Sequence, residues 1–98
     1  MDFEQQYFAG IYGGDYDRRN PRWKARSILA SILRFRTGGR LLDIGCAYGA
    51  FLAEAARTGR FELSGTDVSE HAIQVARERL EGKGVELRVG GLFDTGHE

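Results

Sequence analysis

Apolar positions along the chain recur with two different periods, and the alternation between them predicts the elements. From Pro21 to about Arg36 the apolar residues Ala25, Ile28, Leu29, Ile32, Leu33 and Phe35 keep the three-to-four spacing of a helix with one apolar stripe. Asn20 suits its N-cap and Pro21 its first position, where a missing N–H costs nothing. Gly38-Gly39 supplies the stop. Arg40 to Ile44 is a short apolar run of the kind shown by a parallel strand buried on both faces. Gly45 and Gly49 turn the chain, and Ala50, Phe51, Leu52, Ala53, Glu54, Ala55 and Ala56 form a strong helix-forming series ending at Thr58-Gly59. Phe61 to Asp67 predicts a second strand with Phe61, Leu63 and Gly65 on one face. Ser69 caps a helix from Glu70 to about Glu81, with Ala72, Ile73, Ala76 and Leu80 inward. Gly82 and Gly84 end that helix. Val85, Leu87 and Val89 alternate as a third strand, Gly90-Gly91 breaks the pattern, and Leu92 to Glu98 is a short tail.

The first residues read differently. Phe3, Tyr7, Phe8 and Tyr12, then Tyr16, make the start of the chain aromatic-rich, with Tyr7, Phe8, Ile11 and Tyr12 on one face of a short helix that Gly13-Gly14 ends. Such a face ordinarily packs on the main domain; the functional alternative is a flap over a ligand, with tyrosine hydroxyls reaching its polar groups. Asp15 to Pro21 reads as a polar loop. The division that follows is an N-terminal helical extension or lid, 1–37, and a β-α-β-α-β unit, 38–98. Right-handed crossovers give three parallel strands in the order 3-2-1. The fold class is α/β, a Rossmann-like three-layer half-domain with flanking helices.

Composition narrows the function classes. Ninety-eight residues make one small domain, and a formal net charge of zero provides no global field toward nucleic acid or membrane. Cys46 is the sole cysteine, which excludes an intramolecular disulfide and fits a reducing compartment. The N-terminus lacks the basic and apolar regions of a signal peptide, and no apolar run approaches a membrane span, so the expected location is cytoplasmic. Arg18, Arg19, Arg22, Lys24 and Arg26 form one local basic cluster. No nucleic-acid-binding motif accompanies it, so a solvated face is expected, the alternative being an arginine on the carboxylate of a bound ligand.

Chemistry concentrates between Leu41 and Val68. Strand, glycine turn and helix together make a nucleotide-binding βα unit, in which a ligand lies against backbone N–H groups at the helix N-terminus. Asp67 ends the second strand about 20 residues further on, where a carboxylate accepts both hydroxyls of a ribose. The structural alternative is a capping Asp, a role Ser69 already fills. Asp43, an acid among Leu41, Leu42 and Ile44, needs a partner. Ala47 adds a methyl where a phosphate would approach the backbone, and Asp43 would repel a pyrophosphate; both oppose a dinucleotide. Cys46 has no histidine near it in sequence and reads as a small loop residue rather than a nucleophile.

Asp43-x-Gly45-x-Ala47-x-Gly49 resembles motif I of the class I S-adenosylmethionine-dependent methyltransferases, with Ala47 in the middle glycine place. The resemblance implies S-adenosylmethionine as cofactor and methyl transfer to an unidentified acceptor. It places Asp43 under the methionine end, lets Gly45 and Gly49 admit the ligand, and leaves Cys46, Ala47 and Tyr48 to contribute mainly backbone. Asp67 then takes the ribose, and Val68 and Leu92 the adenine. Family members often carry Gly-Asp after strand three; here Gly90-Gly91 stands there, so the adenine contact is missing or falls to Asp94. No general base and no metal ligand set is identified.

The resemblance also implies that a full sheet continues beyond strand one, so the chain matches the N-terminal half of that fold and is expected to transfer no methyl group alone. A bare strand-one edge, Arg40 to Ile44, is expected to recruit a strand. The expected partner is its mate in a homodimer of sheet order 3-2-1-1′-2′-3′, or a second chain supplying the other half. The alternatives are a non-catalytic S-adenosylmethionine- or S-adenosylhomocysteine-binding or oligomerising module and, opposed by Asp43 and Ala47, a fragment of an NAD-dependent oxidoreductase.

Overall fold

A computed structural model describes residues 16–91. The predicted aromatic N-terminal helix, and Leu92 and Asp94 in the tail, lie outside the described residues. In chain order the elements are α1 (Tyr16–Arg19), α2 (Arg22–Leu33), β1 (Gly39–Ile44), α3 (Ala50–Thr58), β2 (Phe61–Asp67), α4 (Glu70–Arg79) and β3 (Glu86–Val89). The three strands form one parallel sheet in the order β1-β2-β3, which is 3-2-1 read from the other edge. Leu41 stands opposite Leu63, and Gly65 opposite both Asp43 and Leu87.

Two right-handed crossovers running the same way put α3 and α4 on the same side of the sheet. Leu52 and Ala55 from α3, Ile73 and Ala76 from α4, Leu80 just beyond it and Leu63 from β2 form the core there, with Leu29 of α2 reaching it. Gly65 makes this closeness possible: a Cβ there would sit 2.6 Å from Leu52 Cδ1 and 3.1 Å from Cys46 Sγ. The other face explains one departure from the sequence reading. β1 is not buried on both faces; Leu42 is 44% and Ile44 48% exposed, because no described helix crosses that side.

α2 also departs from expectation. It ends at Leu33, not Arg36, and Phe35 lies 83% exposed rather than in the apolar stripe. Asn20 does not cap it; the N-cap is Pro21, and the Asn20 side chain donates back to the carbonyl of Tyr16 at 2.9 Å. What fastens α2 is an ion cluster. Glu54, buried on α3, accepts from Arg22 Nε at 2.8 Å and Arg26 Nε at 3.3 Å. Ser69 caps α4 as expected, its hydroxyl accepting from Ala72 N at 3.0 Å.

Candidate functional site

The turn between β1 and α3 is a chain of backbone hydrogen bonds. Gly45 N and Cys46 N both donate to Thr66 O at 2.8 Å, and Gly49 N donates to Cys46 O at 2.9 Å. Ala47 N donates to Asp67 Oδ2 at 2.9 Å, and Ala50 N to the Tyr16 hydroxyl at 3.2 Å. The sequence places a ligand against these N–H groups, yet all five have protein acceptors. These five are therefore closed to a phosphate, which would need several such groups together; the Phe51 and Leu52 N–H groups in the first turn of α3 are not among them. The conformation before α3 is costly: Gly45, Ala47 and Gly49 have φ of 79°, 50° and 87°. At Ala47 the left-handed backbone carries a methyl, a penalty of roughly 1–2 kcal/mol.

Asp67 is where three segments meet. Besides Ala47 N, its carboxylate accepts Ser69 N at 3.0 Å through Oδ1, and its carbonyl accepts Gly90 N at 2.9 Å. It is thus a turn-fastening residue in its own right, alongside the Ser69 cap. Each carboxylate oxygen retains further acceptor capacity.

Asp43 lies half-buried at the C-terminal end of β1, and among the described residues it has no hydrogen bond or ion pair. Burial, and then the neighbouring Asp67 charge, push its carboxyl above the ordinary value. A cleft of about 190 Å³ opens between Tyr16, Asn20 and the segment Asp43 to Ala47. The structure thus brings Asp43, Gly45, Cys46 and Ala47 to one cleft. Asp67 joins them through Ala47 without lining it, and Gly49 serves as the N-cap of α3. Val68 is 74% exposed next to Asp67, and a Cβ on Gly91 would lie 3.7 Å from its Cγ1. Leu92 lies outside the described residues. Tyr48 does more than lend backbone: its buried ring packs 4.7 Å from Tyr16 and edge-on to His71 at 5.9 Å. The Cys46 thiol is buried and pushed up to about 12, by burial and then by Asp43 and Asp67, so it is no nucleophile.

Tyr16 is the residue that sequence reasoning misplaced. The polar surroundings of Asp15 to Pro21 suggest a loop, but Tyr16 opens α1 and is buried against the turn, under the Arg79 guanidinium at 5.6 Å. Its signal is a single aromatic in a charged stretch, which has no periodicity.

Parallel strands, a left-handed turn at the C-terminal end of β1 and acids ending β1 and β2 define a Rossmann-like ligand-binding unit of the class I methyltransferase type. The family described as "Methyltransferase domain" matches residues 41–95, and the chain belongs to it. Methyltransferase GfsG of Streptomyces halstedii is 38% identical over 61 residues, 61% of this chain and 22% of that protein. Of solved structures, CalS10 with S-adenosylmethionine bound, an amino pentose methyltransferase from Micromonospora echinaspora, superposes with a TM-score of 0.65 at 32% identity, covering 82% of this chain and 34% of that one. The plantazolicin methyltransferase BpumL, in complex with S-adenosylhomocysteine, shares the fold at a TM-score of 0.65 and 20% identity, over 97% of this chain and 40% of that one. The chain thus spans about a fifth to two-fifths of the length of these relatives.

Proposed function

We propose that this chain is the cofactor-holding part of an S-adenosylmethionine-dependent methyltransferase acting on an unidentified acceptor. The observation that carries the reading is the Asp43 carboxylate, which has no partner among the described residues, beside a turn of which five N–H groups already have protein acceptors. That site repels a phosphate and suits a cationic ligand, which fits S-adenosylmethionine, with its sulfonium and ammonium, better than NAD.

In this reading Asp43 holds the ammonium end, directly or through water. Gly45 and Gly49 shape the turn, Cys46, Ala47 and Tyr48 build its wall, and Asp67 accepts from the ribose hydroxyls with its remaining lone pairs. Val68 and Leu92 flank the adenine. When bound, the cofactor supplies a methyl group on a positively charged sulfur that is already a good leaving group. The residues named here bind and orient; none moves a proton, and proximity is the main catalytic contribution required of the fold.

The reading extends to assembly. β1 presents an open edge among the described residues, with Leu42 and Ile44 exposed on it. A strand is expected to pair there, either β1 of a second copy, antiparallel, or one from a second polypeptide. The division into an extension, 1–37, and a cofactor unit, 38–98, and a cytoplasmic location belong to the same proposal. No helix among the described residues is long and apolar enough to cross a membrane. Titration calorimetry with S-adenosylmethionine, S-adenosylhomocysteine and NAD tests the function. The first two are expected to bind; NAD binding in their place would overturn the reading in favour of an oxidoreductase.

A further inference from the structure

Between α1, the start of α2, one side of α3 and the end of α4 lies a separate cleft of about 330 Å³, which shares only Asn20 with the cleft at Asp43. Ala50 and Ala53 line it, and their small side chains leave room above α3. Its described lining residues include four cations and two carboxylates. Both carboxylates are already answered. Glu54 accepts from Arg22 at 2.8 Å and, from outside the cleft, Arg26 at 3.3 Å. Asp17 meets both terminal nitrogens of Arg79, at 3.0 and 3.3 Å. The other two cations, Arg57 and Lys83, are exposed, and their side chains have no acceptor among the described residues. The cleft thus carries two positive charges that no described carboxylate matches. A helix dipole accounts for a cation near the C-terminus of α3 or α4 separately, but not for both lining one concave space.

From this convergence we propose a binding site for a small phosphate-bearing dianion, separate from the cofactor cleft. Two unmatched cations balance two negative charges, and a phosphate monoester gathers nearly that charge on one compact group with three acceptor oxygens. The volume lies at the small end of ligand pockets, roughly 300–1,000 Å³, which suits a phosphate with a short organic remainder. A polyanionic strand laid across the cleft would also meet the Asp17 carboxylate, whose side chain is 71% exposed, and be repelled there. An uncharged ligand makes no use of Arg57 or Lys83.

Inorganic phosphate, titrated into ¹⁵N-labelled chain at constant ionic strength, tests the site. Saturable amide shifts are expected at Ala53, Arg57, Arg79 and Lys83, in the millimolar range because solvent screens exposed cations. Arg57→Gln with Lys83→Gln should weaken binding about tenfold, the scale of losing charge-assisted contacts, while urea unfolding is unchanged. Arg34→Gln with Arg36→Gln, the same charge change outside the cleft, should leave the affinity as it is. Shifts that grow without saturating, or equal weakening by the two double variants, overturn the proposal. Shifts centred on Phe51 and Leu52, with Arg57 and Lys83 unmoved, overturn it in favour of an anion at the start of α3. Tighter binding of succinate than of phosphate overturns it in favour of a dicarboxylate.

Discussion

The Asp67 carboxylate accepts the N–H of Ala47 at 2.9 Å across 20 residues of sequence, tying the end of β2 to the turn after β1. Its other oxygen accepts Ser69 N, at the entry to α4. One side chain thereby fixes the distance between the two strand ends that form the crevice. Asp67→Ala should cost about 2–4 kcal/mol of stability, the scale of losing two hydrogen bonds to a buried charge. Asp67→Asn keeps one acceptor oxygen and should cost about half as much in urea unfolding. In the folded Asp67→Ala variant, S-adenosylhomocysteine affinity should also fall by about 1.5–3 kcal/mol. Wild-type affinity would remove Asp67 from the ligand's contacts.

Asp43 carries the opposite stability sign. Burial, then the Asp67 charge, raise its carboxyl above 3.8, so the folded chain binds that proton more tightly than the unfolded one. Stability from this group is then full below the ordinary value and declines as pH rises through the folded one. Asp43→Asn should therefore stabilise the protein at pH 7 and have almost no effect at pH 3. The same change should weaken S-adenosylmethionine binding. Thermal melts at both pH values, with and without the cofactor, measure both effects.

Most of the fold was legible in the sequence because strands and helices here alternate with clean periods. β2 and its Asp67 terminus, the Gly59 stop and the Ser69 cap all lie where the residues place them. What was not legible depends on neighbours that are distant in sequence. Asn20 has the chemistry of an N-cap, but the Tyr16 carbonyl takes its side chain. Glu54 sits in an alanine-rich helix without any local sign that Arg22 and Arg26 will enclose it. The site's acids were legible as acids at strand ends. That the turn's N–H groups are already engaged was not, since their acceptors, Thr66, Asp67 and Tyr16, come from other elements.

The Glu54 cluster should show in acid. Burial raises its carboxyl, but the hydrogen bonds and charges of Arg22 and Arg26 outweigh that and hold it below 4.5. Its contribution is present above 4.5 and lost as pH falls through the lower folded value. Glu54→Gln should destabilise by about 1–2 kcal/mol at pH 7, modest because both arginines are more than half exposed, and by less near pH 3. Guanidinium unfolding at the two pH values checks the difference.

Cys46 should be chemically silent while the chain is folded. A buried thiol pushed up to about 12 has almost no thiolate at pH 8. Iodoacetamide should modify it at least 100-fold more slowly than in urea-unfolded protein. Equal rates would mean that the turn opens readily.

The most direct test of the account is a residue-resolved one. Amide chemical shifts of ¹⁵N-labelled chain are followed during titration with S-adenosylmethionine. Perturbations are expected to concentrate at Asp43 to Gly49 and at Asp67 and Val68, leaving Trp23, Ser27 and Ser31 on the exposed side of α2 unmoved. Shifts confined to α2, or none at saturating cofactor in a folded protein, would contradict the assignment of the acidic turn as the cofactor site.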